Sequence, residues 1–383
     1  MVISRKVPFQ PSSALAGWEW TTDSVRHPGT NSDMHWCAYA ADGTHWFVDD
    51  DGWNFGRPWN FAHLLHATGR PPDHQLAEVT DFPELTRPAG FRCRRYVDGA
   101  LCVDDRLYVT AYDYADDVHD LHGQDGQFHH VDLVSPHGGV VALMTSDDGG
   151  RTFTNVPGPH VGPDDYFLGP RFAGLSFVAF GPGYTQVPSR FGNYVYAISN
   201  DSNWETGDNV FLARVPRNDV LDRDAWEFWA GPGEGAFPCE PMWTRREDAT
   251  RPILRDPGHV GHPTMTYVPA LDRFLLLYST DPVPHVFHTA PDDAISTWVK
   301  QTELVVLEAP APWGPWRLVH HDPAWEHPHT PYLPQLPAGW LDDDGLGGWM
   351  VFSGDYVVPD AAGEYYGFMT RHFRLQSLTD VAP

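Results

Sequence analysis

The chain has no run of about 20 consecutive apolar residues, which excludes a transmembrane helix. It is poor in basic residues: 25 Lys and Arg stand against 51 Asp and Glu, for a formal net charge of −26. Acidity on this scale repels phosphate backbones and anionic lipid surfaces, so neither nucleic acid nor membrane is an expected partner. Lysine is almost absent, with two residues against 23 arginines, a bias that points to a GC-rich genome rather than to chemistry. Only four cysteines occur, Cys37, Cys93, Cys102 and Cys239. Their spacing matches neither a C-x-x-C motif nor a zinc finger, so free thiols are expected. The first 16 residues contain basic side chains but no apolar stretch of a secretory signal, which makes the expected location cytoplasmic. G-x-S-x-G, Walker and dinucleotide-binding motifs are also missing, which argues against serine hydrolase, nucleotidase and Rossmann chemistry.

What is abundant is turn and aromatic residue. Gly and Pro number 35 and 36, and aromatics make up 14% of the chain, including 16 Trp. This mixture suits short strands joined by many turns, and only a few short stretches, such as Phe61 to Ala67, read as helical. The stretch Ser146-Asp147-Asp148-Gly149-Gly150-Arg151-Thr152-Phe153 fits the Asp-box pattern S-x-D-x-G-x-[TS]-[WF]. In such a turn the Asp148 carboxylate accepts backbone N–H groups, Gly150 takes a positive φ and Phe153 packs beneath the hairpin. Its role is structural, and it marks repeated antiparallel hairpins.

Five such segments follow one another, each a strand, an Asp- or Gly-rich turn and a strand. They begin near Met34, Ala100, Leu175, Thr264 and Gly339. Intervals longer than a minimal blade of about 40–45 residues imply long inserted loops, chiefly Val118 to Pro136 and Glu234 to His259. The expected fold is all-β, a single-domain five-bladed β-propeller spanning residues 31–383. Residues 1–30 pack on the propeller or close it.

A propeller gathers the innermost strand of every blade around one axis, so polar residues at those strand ends meet. Here they are Asp33, His35 and Trp36, then Asp49, Asp50, Asp51 and Trp53, then Asp113, Asp201, Trp204 and Glu205, then His262, and finally Tyr332 and Asp355. One of the three consecutive aspartates is expected to be functional and the other two turn-forming. Carboxylates mixed with Trp and Tyr suit a sugar-cleaving cleft, where indoles stack on sugar rings and two carboxyl groups supply acid and base or nucleophile. Asp33 and Asp51, at the start of one strand and the end of its hairpin partner, could raise each other's proton affinity. His35, Trp36, Trp53, Asp113, Asp201, Trp204, Glu205, His262, Tyr332 and Asp355 are the candidate substrate contacts. No zinc spacing occurs among the 21 His. No cofactor is expected, although converging carboxylates and His could hold Ca²⁺ at the axis.

Four stretches resemble the five-bladed β-propeller glycoside hydrolases of the group containing actinobacterial endo-D-arabinanases. They are Ser32-Asp33 through Asp51-Gly52-Trp53-Asn54-Phe55; Asn209 to Pro216 with Trp226 to Gly231; Met265 to Tyr278; and Pro312 to Trp316 with Trp340 through Gly354. The resemblance implies a furanosidic or related glycosidic bond as substrate and assigns Asp33 and Asp51 as the catalytic pair. The residues alone are also compatible with two other readings. One is a non-catalytic carbohydrate-binding propeller; the other is an intracellular lyase, cyclase or isomerase acting on a small metabolite.

Overall fold

A computed structural model describes residues 2–60, 62–79, 82–85, 93–115, 139–158, 165–172, 174–201, 206–232, 241–280, 301–354 and 365–378. Two strands precede the repeats, β1 (Leu15–Trp20) and β2 (Val25–Arg26). Blade one is β3 (Asp33–Tyr39), β4 (His45–Asp50), β5 (His63–Thr68) and β6 (Gln75–Glu78). Blade two is β7 (Cys93–Val103), β8 (Arg106–Ala115) and β9 (Gly139–Ser146), with an outer bridge from Thr145 to Thr154. Blade three holds β10 (Ser176–Phe177), β11 (Tyr194–Asn200), β12 (Thr206–Pro216), β13 (Glu227–Pro232) and β14 (Pro241–Thr244). Blade four is β15 (Leu254–Val268), β16 (Arg273–Thr280), β17 (Glu303–Ala309) and β18 (Arg317–Asp322). Blade five is β19 (Tyr332–Gln335), β20 (Gly347–Ser353) and β21 (Phe368–Ser377), with β1 as its outer strand.

The innermost strands touch in a closed cycle, β3 to β7 to β10 to β15 to β19 and back to β3. That cycle makes the molecule a five-bladed β-propeller. Side-chain hydrogen bonds tie the ring: Thr264 and Thr266 of β15 donate to the carbonyls of Pro334 and Leu336 at 2.6 and 2.8 Å. The Cys37 amide of β3 donates to Gln335 Oε1 of β19 at 2.9 Å. The first half of β15 also pairs with β12, joining blades three and four through one continuous sheet.

Ring closure uses both ends of the described chain. β1 pairs antiparallel with β21 from Leu15–Ser377 to Trp20–Phe373. Trp18 lies flat on Phe373, ring centroids 3.9 Å apart and planes 4° apart, and nearly parallel to His320 of blade four at 6.2 Å.

Each sheet is covered on both faces by its neighbours, so apolar residues need not alternate with polar ones. This explains one departure from expectation. The stretch expected to be helical is strand β5, with Phe61 itself outside the described residues. Leu64 fills the seam toward blade two and Leu65 the seam toward blade five. Among the described residues there is no α-helix, only short 3-10 turns, and no helix is long and apolar enough to cross a membrane. In blade five, residues 338–340 form one of those turns, and the inner strand is β19. The expected insertion at 118–136 lies outside the described residues, as does 234–240 of the second. From residue 241 the chain is ordered as β14 and the first half of β15.

The 146–153 turn is held by its aspartate. Asp148 Oδ1 accepts the Arg151 and Thr152 amides at 3.0 and 2.9 Å, and its Oδ2 accepts the Thr152 hydroxyl at 2.6 Å. Those donors depress its pKa to about 2, led by the Thr152 hydroxyl. Gly150 has φ of +75°, and Phe153 meets Phe82 edge to face at 5.1 Å. Cys37 and Cys102 are free thiols.

Candidate active site

Four inner strands carry the same irregularity near the axis. The pairing register shifts at Asp33–Trp36 of β3, Asp98–Ala100 of β7, Gly261–Thr264 of β15 and Tyr332–Gln335 of β19. Within each shift one residue has positive φ: Met34 (57°), Gly99 (34°), His262 (47°) and Leu333 (51°). Such bulges bend a strand and re-aim its side chains, and they persist where the surrounding structure over-determines them. Here they set Asp33, Asp98, His262 and Tyr332 around one centre. Gly99 must be glycine, because a Cβ there would lie 2.4 Å from the Leu175 carbonyl oxygen.

Asp33 is the hub. It is 6% exposed, and its Oδ2 accepts the Tyr332 hydroxyl of blade five at 2.5 Å. The Asp33 Cα is paired with that of Asp50, and the chain bends at Asp51, whose φ is +22°. Burial and then the negative charge of Asp51 push the Asp33 carboxyl up to about 7, against the pull of Tyr332, His35 and Tyr366. Asp51 is itself framed by tyrosines. Tyr96 Oη lies 3.4 Å from its Oδ2, and the Tyr366 hydroxyl donates to its carbonyl at 2.7 Å. The Tyr332 ring faces that of His262 at 5.7 Å. Blades one, two, four and five therefore all reach this centre.

Two further buried acids support it. Asp50 Oδ1 accepts the Val97 amide at 3.2 Å, and Tyr112 lies 3.5 Å from its Oδ2. Burial, followed by Asp33 and Asp51, raises the Asp50 pKa well above the usual carboxylate range. Asp98 is also raised by burial, while it accepts the Thr110 hydroxyl and, at 2.7 Å, the Leu175 amide. It thereby pins the blade-two bulge to blade three. A carboxyl group kept neutral in this way costs less to bury than a carboxylate and can still accept hydrogen bonds.

Of the candidate residues, the structure brings together Asp33, Asp51, Tyr332 and His262. His35 lies just beneath, buried and turned outward; its Nδ1 is 2.9 Å from Asp49 Oδ1, and its ring packs on Phe368 at 4.8 Å. Asp49 also accepts the Ser32 hydroxyl at 2.7 Å. Two of the three consecutive aspartates are expected to form a turn, but Asp49 and Asp50 do not, because β4 continues through both.

Several candidates are corrected by their surroundings. Trp36 is 2% exposed and belongs to the apolar seam between blades one and two, so it offers no face to a ligand. Asp113 is engaged by the buried Arg95 through two bonds of 2.7 and 3.1 Å, and Arg95 also donates to the Gly158 carbonyl. Burial raises the Asp113 pKa and Arg95 opposes it. Asp201 closes the β11–β12 turn by accepting the Asp208 and Asn209 amides at 2.8 and 3.1 Å. Trp53 stands at the rim, 47% exposed. Trp204, Glu205 and Asp355 lie outside the described residues. Among the described residues no group of three His, Cys, Asp or Glu is arranged to hold a metal ion.

Sequence reasoning missed Asp98, Tyr96, Tyr112 and Tyr366. Asp98 lies just before the segment read from Ala100 onward, at a bulge within β7. The tyrosines carry no motif, and only the ring places their hydroxyls at Asp50 and Asp51.

The family model for the domain of unknown function DUF4185 matches residues 101–330, more than half of the chain. The chain belongs to the DUF4185 family. No curated protein matches this DUF4185 member in sequence. Among solved structures it is similar to a protein from Bacteroides ovatus described as a candidate hydrolase. Their sequence identity is 11%, with 91% of this chain and 86% of that one covered at a TM-score of 0.52. At that identity the likeness is one of fold. Weaker similarity links it to an α-L-arabinofuranosidase from Podospora anserina, at 9% identity, coverage of 95% and 98%, and a TM-score of 0.47. An endo-arabinase from Bacteroides thetaiotaomicron gives 8% identity, coverage of 93% and 97%, and a TM-score of 0.43.

Proposed function

We propose that this DUF4185 protein is a glycoside hydrolase in which Asp33 and Asp51 act as a catalytic carboxyl pair on a furanosidic, arabinan-like or related glycosidic bond. The observation that carries this reading is a buried Asp33 beside Asp51 at the ring axis, with a pKa of about 7. A carboxyl group of that acidity is substantially protonated at neutral pH and can act as a general acid. Asp33 gives its proton to the glycosidic oxygen as the bond from that oxygen to the anomeric carbon breaks. The Asp51 carboxylate takes the proton of an attacking water or bonds to the anomeric carbon itself. The Tyr332 hydroxyl fixes the orientation of Asp33 and moderates its proton affinity. The acidic surface favours a neutral sugar over an anionic one.

The test is turnover of purified protein on aryl glycosides and arabinans. Asp33→Asn and Asp51→Asn should each lower kcat by about 10²- to 10⁴-fold. Unchanged turnover in both variants would overturn the proposal. Thermal denaturation provides the control for folding. The folded-state pKa of Asp33 is raised, so its contribution to stability is present at low pH and is lost as pH rises through about 7. Wild type at pH 8 carries the full cost of the buried charge, on the order of a few kcal/mol. Asp33→Asn should therefore melt higher than wild type at pH 8, with the gap closing toward pH 4.

A further inference from the structure

Among the described residues, every Trp or Phe classed as exposed lies in one connection. Trp53 is 47% exposed, Phe55 39% and Trp59 48%, all in the segment from β4 to β5 that starts at Asp51. The other large exposed apolar residues are aliphatic or Met side chains, adjacent in sequence only at Val2 and Ile3. Solvent-facing apolar groups concentrated in one place mark a contact site.

The segment is held rigidly. Gly52 and Asn60 exchange N–H···O bonds of 3.1 and 2.9 Å, and the His63 ring meets the Gly52 carbonyl at 3.0 Å. The Trp53 amide donates to the Asn31 carbonyl at 2.9 Å and the Phe55 amide to that of Gly29 at 2.6 Å. Gly52 is pressed so closely to residues 31 and 32 that an added Cβ would lie 2.0 Å from the Asn31 carbonyl oxygen. Positions 53 and 59 lie just inside the Gly52–Asn60 pair, at the two ends of the loop it closes. Aromatic rings presented on a fixed backbone bind with little loss of conformational entropy. The flat face of an indole suits the C–H face of a sugar ring, and a net charge of −26 disfavours polyanionic chains.

We propose that Trp53 and Trp59 form a stacking lip for a neutral oligosaccharide, holding the units that run outward from the Asp33–Asp51 centre. The lip rests on the glycosidase reading and extends it: the substrate is a chain of several sugar units rather than a single-sugar glycoside. Continuity with the site selects this occupant, since Trp53 lies two residues beyond Asp51 on the same fixed turn.

The test combines native gels containing linear arabinan, xylan, galactan or polygalacturonate with steady-state kinetics. Wild type should be retarded in at least one neutral gel, and the Trp53→Ala/Trp59→Ala double variant should bind that polymer at least about tenfold more weakly. On the same polymer the double variant should show KM raised about tenfold with kcat little changed, whereas turnover of the aryl glycoside stays within about twofold. Trp53→Phe, which keeps a flat face, should retain most of the binding. If the gels show Trp-dependent binding and neither polymer nor aryl glycoside is hydrolysed, the sugar contact at Trp53 and Trp59 stands and the glycosidase reading falls. Hydrolysis with an unchanged KM in the double variant overturns the lip and leaves the glycosidase reading intact. Equal retardation by polygalacturonate, no retardation of wild type in any gel, or loss of self-association with unchanged glycan binding also overturns the lip.

Discussion

The Asp33–Tyr332 hydrogen bond joins blade one to its neighbour, blade five, and moderates the acidity of the central carboxyl. A donor to the charged form lowers a pKa, so removing it has a defined sign. In Tyr332→Phe, Asp33 should hold its proton to higher pH. The alkaline limb of the kcat/KM profile, expected near pH 7 in wild type, should move upward; a limb that stays put or moves down would separate Asp33 from that titration. At this scale the sequence was only partly legible. Asp33, Asp113 and Asp201 look alike as acids at strand ends, yet one faces Asp51, one faces Arg95 and one caps a turn. Partner identity, fixed by residues far away in the chain, distinguishes them.

Elements were more legible where a turn announced them. The hairpins β3–β4 and β15–β16 coincide with strand and turn signals in the sequence, and β20 and β21 with strand signals. β19 escaped notice because Pro334 and Pro337 interrupt it and follow it, and β5 was misread because its two faces are both buried. The seam between blades one and five is also an element-scale device. His45 stacks on Tyr39 at 4.2 Å and packs against Trp340 at 5.0 Å, while His74 sits 5.2 Å from the same indole. Burial lowers the pKa of His45 to about 3 and that of His74 to about 4. Both groups thus fold neutral. Their stabilising effect is complete above the ordinary histidine range and is lost as pH falls from about 6.5 toward the folded-state values. His45→Phe should flatten the fall in Tm between pH 6 and pH 4, measured by calorimetry. An unchanged slope would place the acid sensitivity elsewhere.

The whole molecule depends on a ring whose closure is distributed over distant segments. Trp18, 7% exposed, packs between Phe373 of its own blade and His320 of the next. Trp18→Ala should cost about 3–5 kcal/mol, read from denaturant unfolding. A loss below about 1 kcal/mol would mean that β1 is dispensable to closure. Five repeats could be counted from sequence because each carries a turn signal, whereas the outer strand of the fifth is supplied by a segment that resembles none of them. β1 is also the first strand in chain order, and β21, its partner, is the last. During synthesis, then, β1 has no partner strand in the fifth sheet until β21 has been made. Asp33 likewise meets its Tyr332 partner only after the inner strand of the fifth blade has been made.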